Sequence, residues 1–131
     1  MDETARKVDI LWEQMFPGAK VAKEINAPKP VKYFREKATG NLRDVQTANG
    51  RELFEKIGEE VTEAAMAYGE YIAVDADTDG KYSRDVGMEL MDAAYAIYTA
   101  LECLGFDERA RNNLCREVYE KNRRRGYYGA L

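Results

Sequence analysis

A chain of 131 residues, 45% hydrophobic and 34% charged, has the make-up of one globular domain and is too apolar to stay disordered. Its net charge of −4 argues against general nucleic-acid affinity over the whole surface, and no window reaches the apolar length of a membrane span. The acidic start MDETARKVDILWEQMF has none of the layout of a secretory signal, so a cytoplasmic protein that binds neither membrane nor nucleic acid is expected.

In chain order, Ala5, Val8, Leu11, Trp12, Met15 and Phe16 recur at helical spacing until Pro17-Gly18 breaks the pattern, which predicts a first helix. Residues 19–50 carry Pro28, Pro30, Gly40-Asn41 and Asn49-Gly50 around a short apolar patch at Val31, Tyr33 and Phe34. They read as an irregular arm with at most one short element, whose length suits a functional or partner-contacting loop; Trp12, Tyr33 and Phe34 could stack on a base, though such aromatics more often serve core or interface. From Arg51 to Ile72 the positions Leu53, Phe54, Ile57, Val61, Ala64, Ala65, Tyr68 and Ile72 make one stripe of 3.6 period, a second helix. A polar turn, Asp75 to Gly80, leads to a third helix from Ser83 to about Leu104, closed by Gly105. Asp107 then caps a fourth helix that runs into the basic stretch Lys121 to Arg125. Strand-like alternation is nowhere sustained. The expected fold is all-α: a single domain over 1–131, an antiparallel bundle of about four helices completed by oligomerisation.

Histidine is absent, which removes the commonest general base and the usual nitrogen ligand for zinc. Cys103 and Cys115 spell neither a CxxC pair nor a thiolate zinc site and read as reduced, buried thiols. Chemistry therefore falls to carboxylates. The third predicted helix is apolar or small almost all round from Val86 to Leu104, with only Glu89, Asp92 and Glu102 charged. Glu89 and Asp92 stand at i and i+3 with no Lys or Arg one turn away, and a buried unpaired carboxylate costs roughly several kcal/mol. A cation must meet them. The preceding helix offers instead a second acidic cluster, in which Glu60 and Glu63 are again i and i+3. Packed antiparallel, the two helices would gather four carboxylates into an all-oxygen cage suited to Mg²⁺ or Mn²⁺. Alone, an ExxE pair is an ordinary solvated helix face.

The segment KIGEEVTEAA, followed about 25 residues later by MELMDAAYA, resembles the EExxE and ExxD pair of the all-α nucleoside triphosphate pyrophosphatase superfamily. That superfamily includes MazG-like proteins, dimeric dUTPases and phosphoribosyl-ATP pyrophosphatase, and the resemblance covers roughly residues 51–126. It implies a hydrolase in which Mg²⁺, held by Glu60, Glu63, Glu89 and Asp92, supports cleavage of a nucleotide between its α- and β-phosphates, and it implies dimers or tetramers. KIGEEVTEAA is closest to phosphoribosyl-ATP pyrophosphatase, whereas the ending KNRRRGYYG is more MazG-like, so the nucleotide stays open. With no histidine available, Glu59 is the candidate to orient or deprotonate the attacking water. Lys121, Asn122 and Arg125 are candidate phosphate ligands at i, i+1 and i+4, alternatively a charge run favoured by the helix dipole, and Lys56, one turn before Glu60, is a further one.

Two other readings compete. Asp75, Asp77, Asp79 and Gly80 match the opening of a calcium-binding EF-hand loop, but Val86 stands where its bidentate Glu is needed. A helical interaction protein needs no site, and leaves Glu89 and Asp92 unexplained.

Overall fold

The computed structural model describes residues 27–77 and 79–129; the helix predicted around Ala5 to Phe16 lies outside them. Three helices dominate: α1 (Gly50–Ala73), α2 (Lys81–Cys103) and α3 (Glu108–Arg124). None of the described helices is long and apolar enough to cross a membrane. The arm before them is more ordered than its composition suggested. Strands β1 (Tyr33–Arg35) and β2 (Leu42–Asp44) pair antiparallel with Phe34 opposite Arg43, and a short 3₁₀ turn, Val45–Thr47, follows. Gly40 closes the hairpin with φ +73°, a left-handed backbone that its missing Cβ permits. Three-residue strands are too short for the two-residue alternation to register, which is why the pattern did not announce them.

Each helix start has a local cause. At α1, Asn49 accepts a hydrogen bond from the Glu52 N–H at 2.9 Å, and Glu52 accepts one from the Asn49 N–H at 3.2 Å, a reciprocal capping box. The Arg43 guanidinium holds the same Glu52 at 2.5 Å while lying 5.5 Å from the centre of the Phe34 ring, so one side chain ties β2 to β1 and to α1. At α2, the Asp77 carboxylate accepts from the Tyr82 and Ser83 N–H groups at 3.0 and 3.1 Å, and Asp79 accepts from the Lys81 N–H at 3.1 Å. The D-x-D-x-D-G run thus serves as a helix cap. Both oxygens of Asp77 are committed to backbone, which counts against the calcium-loop reading. Asp107 caps α3 by accepting from the Ala110 N–H at 2.9 Å, as its position predicted.

Helices α1 and α2 pack together along their length. Glu63 meets Glu89, while Lys56 and Glu52, earlier in α1, share a cavity with Ala96 and Thr99, later in α2, so the pair is antiparallel. Small residues make the close approach: Ala64 of α1 with Ala93 and Ala100 of α2 are buried. The hairpin arm docks on the far end. Val31 donates its N–H to Thr99 Oγ1 at 3.0 Å, Val45 is buried, and the Cys103 thiol reaches the Val45 carbonyl at 3.7 Å.

Three expectations change. Among the described residues the helix from Glu108 is not a full neighbour in a bundle: it is tied to α2 by the Arg111–Glu102 ion pair and buries no residue. The α1 stripe is only partly used, since Phe54, Val61, Tyr68 and Ile72 are exposed. Helix α2 is not enclosed on every side either, for Met88, Leu90, Met91 and Ile97 face outward. The cysteines follow suit, with Cys103 half-buried and Cys115 exposed.

Candidate metal centre

The carboxylates anticipated from the two acidic pairs converge. Because Glu60 and Glu63 are one helical turn apart on α1, and α2 lies antiparallel against that face, one oxygen from each of Glu60, Glu63 and Glu89 falls within 4.8 Å of the others. Glu60 is the most enclosed, its side chain 12% exposed; Glu89 is half-buried and Glu63 exposed. Partial burial pushes the Glu89 carboxyl above the usual glutamate range, and the charges of Glu63, Asp92 and Glu60 push it further. Asp92 is near enough to act on Glu89 but stands outside the three-oxygen cluster, exposed at the rim of a cavity that it lines together with Glu60. The expectation that Asp92 leaves bulk water therefore does not hold within one chain.

The donor set suits a hard divalent cation. Three carboxylates in a chain with no histidine offer oxygen only, the preference of Mg²⁺ and Mn²⁺ and not of copper or zinc. Three ligands leave coordination positions for water and phosphate, as Mg²⁺ sites generally do.

Cations are nevertheless close, a point that the sequence reading underweighted. Lys56 Nζ lies 2.9 Å from Glu60 Oε1 and 3.9 Å from Glu59 Oε2, and the Glu60 carboxylate raises the Lys56 ammonium above its ordinary pKa, so it stays protonated. Lys37, from the hairpin turn, is 2.9 Å from Glu59 Oε1. Glu59, the candidate base, is thus held by lysines from two elements, and Lys56 is engaged with a carboxylate before any phosphate is present.

Beside the cluster opens a cavity of about 340 Å³, the scale of a small-molecule site. Tyr33, Phe34 and Arg35 of the hairpin wall one side, Tyr95, Ala96 and Thr99 of α2 another, and Lys56, Glu60 and Asp92 the end nearest the carboxylates. None of these aromatic walls was assigned to the site from sequence. Tyr95 could have been, because it stands three residues after Asp92 on the same helix face; Tyr33 and Phe34 needed the hairpin to bring them there. Lys121, Asn122 and Arg125 do not line this cavity, and no hydrogen bond or ion pair among the described residues joins that end of α3 to α1 or α2. Lys121 and the flanking Arg123 and Arg124 occupy the last turn of α3, where the dipole favours cations.

No protein-family model, no curated protein and no solved structure matches the chain. The functional reading rests on the residues.

Proposed function

We propose that the protein is a Mg²⁺-dependent nucleotide pyrophosphohydrolase that cleaves a nucleoside triphosphate, or a related nucleotide, between its α- and β-phosphates to a monophosphate and pyrophosphate. The observation that carries this reading is the convergence of Glu60, Glu63 and Glu89 beside an aromatic-walled cavity that Glu60 and Asp92 line. A bare acidic cluster repels a polyphosphate, so the arrangement makes chemical sense when a divalent cation reverses the local sign. Bound there, Mg²⁺ or Mn²⁺ would supply positive charge toward the phosphates and lower the pKa of a water molecule. Glu60, Glu63 and Glu89 would hold the ion, with Asp92 as a further carboxylate at the cavity rim. Glu59, one residue before Glu60, orients the attacking water and accepts its proton once Lys37 and Lys56 are drawn away. The cavity takes the nucleoside, its aromatic rings covering a flat base.

Phosphorus NMR of reactions with Mg²⁺ over the common ribo- and deoxyribonucleoside triphosphates and phosphoribosyl-ATP tests the proposal. The expected result is pyrophosphate and a monophosphate from at least one of them. Orthophosphate as the sole inorganic product overturns the reaction type, and turnover of none, with Mg²⁺ or Mn²⁺, favours a helical interaction protein.

A further inference from the structure

A metal-free carboxylate cluster repels itself, and here lysines meet one of its members, Glu60, and the neighbouring Glu59. Lys56 sits one helical turn before Glu60 on α1 and shares its charge between Glu60 and Glu59, at 2.9 and 3.9 Å. Lys37 comes from a different element, the hairpin turn, and meets the other oxygen of Glu59 at 2.9 Å. Neither lysine is locked in place: the Lys56 side chain is 43% exposed and that of Lys37 is still more so, and each is a long, flexible point charge. Lys56 also lines the cavity, with Arg35 on another wall. A divalent ion at Glu60 would stand close to the Lys56 ammonium, and the repulsion between them sets ion and lysine in competition for the carboxylate.

We propose that Lys56 and Lys37 are exchangeable counter-cations, neutralising Glu60 and Glu59 in the metal-free protein and passing to the polyphosphate tail of the substrate when the metal enters. The inference rests on the pyrophosphohydrolase reading and adds to it a coupling between the two ligands. Metal and Lys56 compete for Glu60, so loading the metal releases a cation toward the cavity in which the phosphate arrives. The phosphate in turn removes the competitor. Metal and phosphate therefore bind more tightly together than apart, beyond the effect of direct bridging. It also gives the hairpin a role: Lys37 brings the turn between β1 and β2 onto the reacting end of the substrate. The phosphate contacts move with it, from the far end of α3 to residues already at the carboxylates.

The coupling has a signature of opposite signs. In Lys56→Gln, Mn²⁺ titrated alone and followed by the electron paramagnetic resonance of the free ion should bind about two- to fivefold more tightly, the fold-change equivalent to a partly exposed ion pair. The same variant loaded with Mg²⁺ should bind inorganic tripolyphosphate about five- to tenfold more weakly by calorimetry, because a charge-assisted hydrogen bond is lost. Lys37→Gln should weaken tripolyphosphate as well, with a smaller effect on Mn²⁺, since it faces Glu59. A non-hydrolysable nucleoside triphosphate analogue should lose affinity in Lys56→Gln by the same factor as tripolyphosphate. Unchanged or weaker Mn²⁺ binding in Lys56→Gln reduces Lys56 to a helix-surface pair and overturns the exchange, as does a loss confined to the nucleotide analogue. Wild-type protein that binds no Mn²⁺ at all instead defeats the metal-centre reading itself, so the two failures are told apart in one titration.

Discussion

At the scale of single residues, Glu89 is the most informative side chain. Its carboxyl is raised above its ordinary value of 4.5 by partial burial first and by Glu63, Asp92 and Glu60 next. A carboxyl raised in the folded state favours folding at a pH below its unfolded pKa, and that contribution is lost as pH rises through the folded value. In EDTA, wild-type stability should therefore fall from pH 4.5 toward pH 7 relative to Glu89→Gln, which has no proton to lose at that position. At pH 7 the metal-free variant should be as stable as the wild type or more so. Millimolar Mg²⁺ should then raise the wild-type melting temperature and raise that of Glu89→Gln much less, because the ion binds the folded state through this carboxylate. A large destabilisation of the metal-free variant, with no response of the wild type to Mg²⁺, would mean that Glu89 answers a buried cation and that no metal is held. Sequence alone found the three converging glutamates because their spacing reports which face of a helix they share. It did not foresee the ion pair of Lys56 with Glu60, since an i,i+4 lysine can point along the helix to a glutamate or away from it to a ligand, and only packing decides which.

Among the elements, the long helices were legible to within a residue or two. Their stripe, the Asp107 cap and the glycine stop at Gly105, with φ +97°, are local signals that tertiary packing did not override. The hairpin was not legible, because its strands are held by contacts distant in sequence: Arg43 with Glu52 across the start of α1, and Val31 with Thr99 late in α2. The Asn49–Glu52 capping box is local and is spelled in the sequence as N-x-x-E. It is also the hinge point between arm and helix, so it has a testable value. Asn49→Ala should cost about 1 kcal/mol in urea denaturation, the usual loss for an exposed N-cap, while Asn49→Asp should cost far less. Equal stability of all three proteins would show that Arg43 alone positions Glu52 and that the cap is dispensable. The alanines at 93, 96 and 100 teach the complementary lesson. Their spacing invites a close helix, and in the fold Ala93 and Ala100 are 5% and 4% exposed, covered within the chain.

For the whole molecule the unresolved account is the apolar surface. Phe54 and Met66 on α1 are 65% and 66% exposed, Leu90 and Met91 on α2 face outward, and α3 adds Val118 and Tyr119. Single exposed apolar side chains are ordinary, but here they recur on all three helices, and burying such surface stabilises by roughly 25 cal/mol per Å². Association of two or more copies is the expected consequence, through the outward residues of α1 and α2 and not through the buried alanines of α2. An interface of ordinary size removes about 800 Å² from each partner, an area that several such side chains and their surroundings could provide. Light scattering at micromolar concentration should give a mass at least twice 14.9 kDa. The melting temperature should rise with protein concentration, because folding is then linked to association by mass action. Leu90→Lys, a charge placed on the outward face of α2 away from the carboxylate cluster, should lower the mass toward that of one chain while leaving far-UV circular dichroism unchanged. A wild-type mass of 14.9 kDa together with a melting temperature independent of concentration would refute the assembly and leave the site to work within one chain.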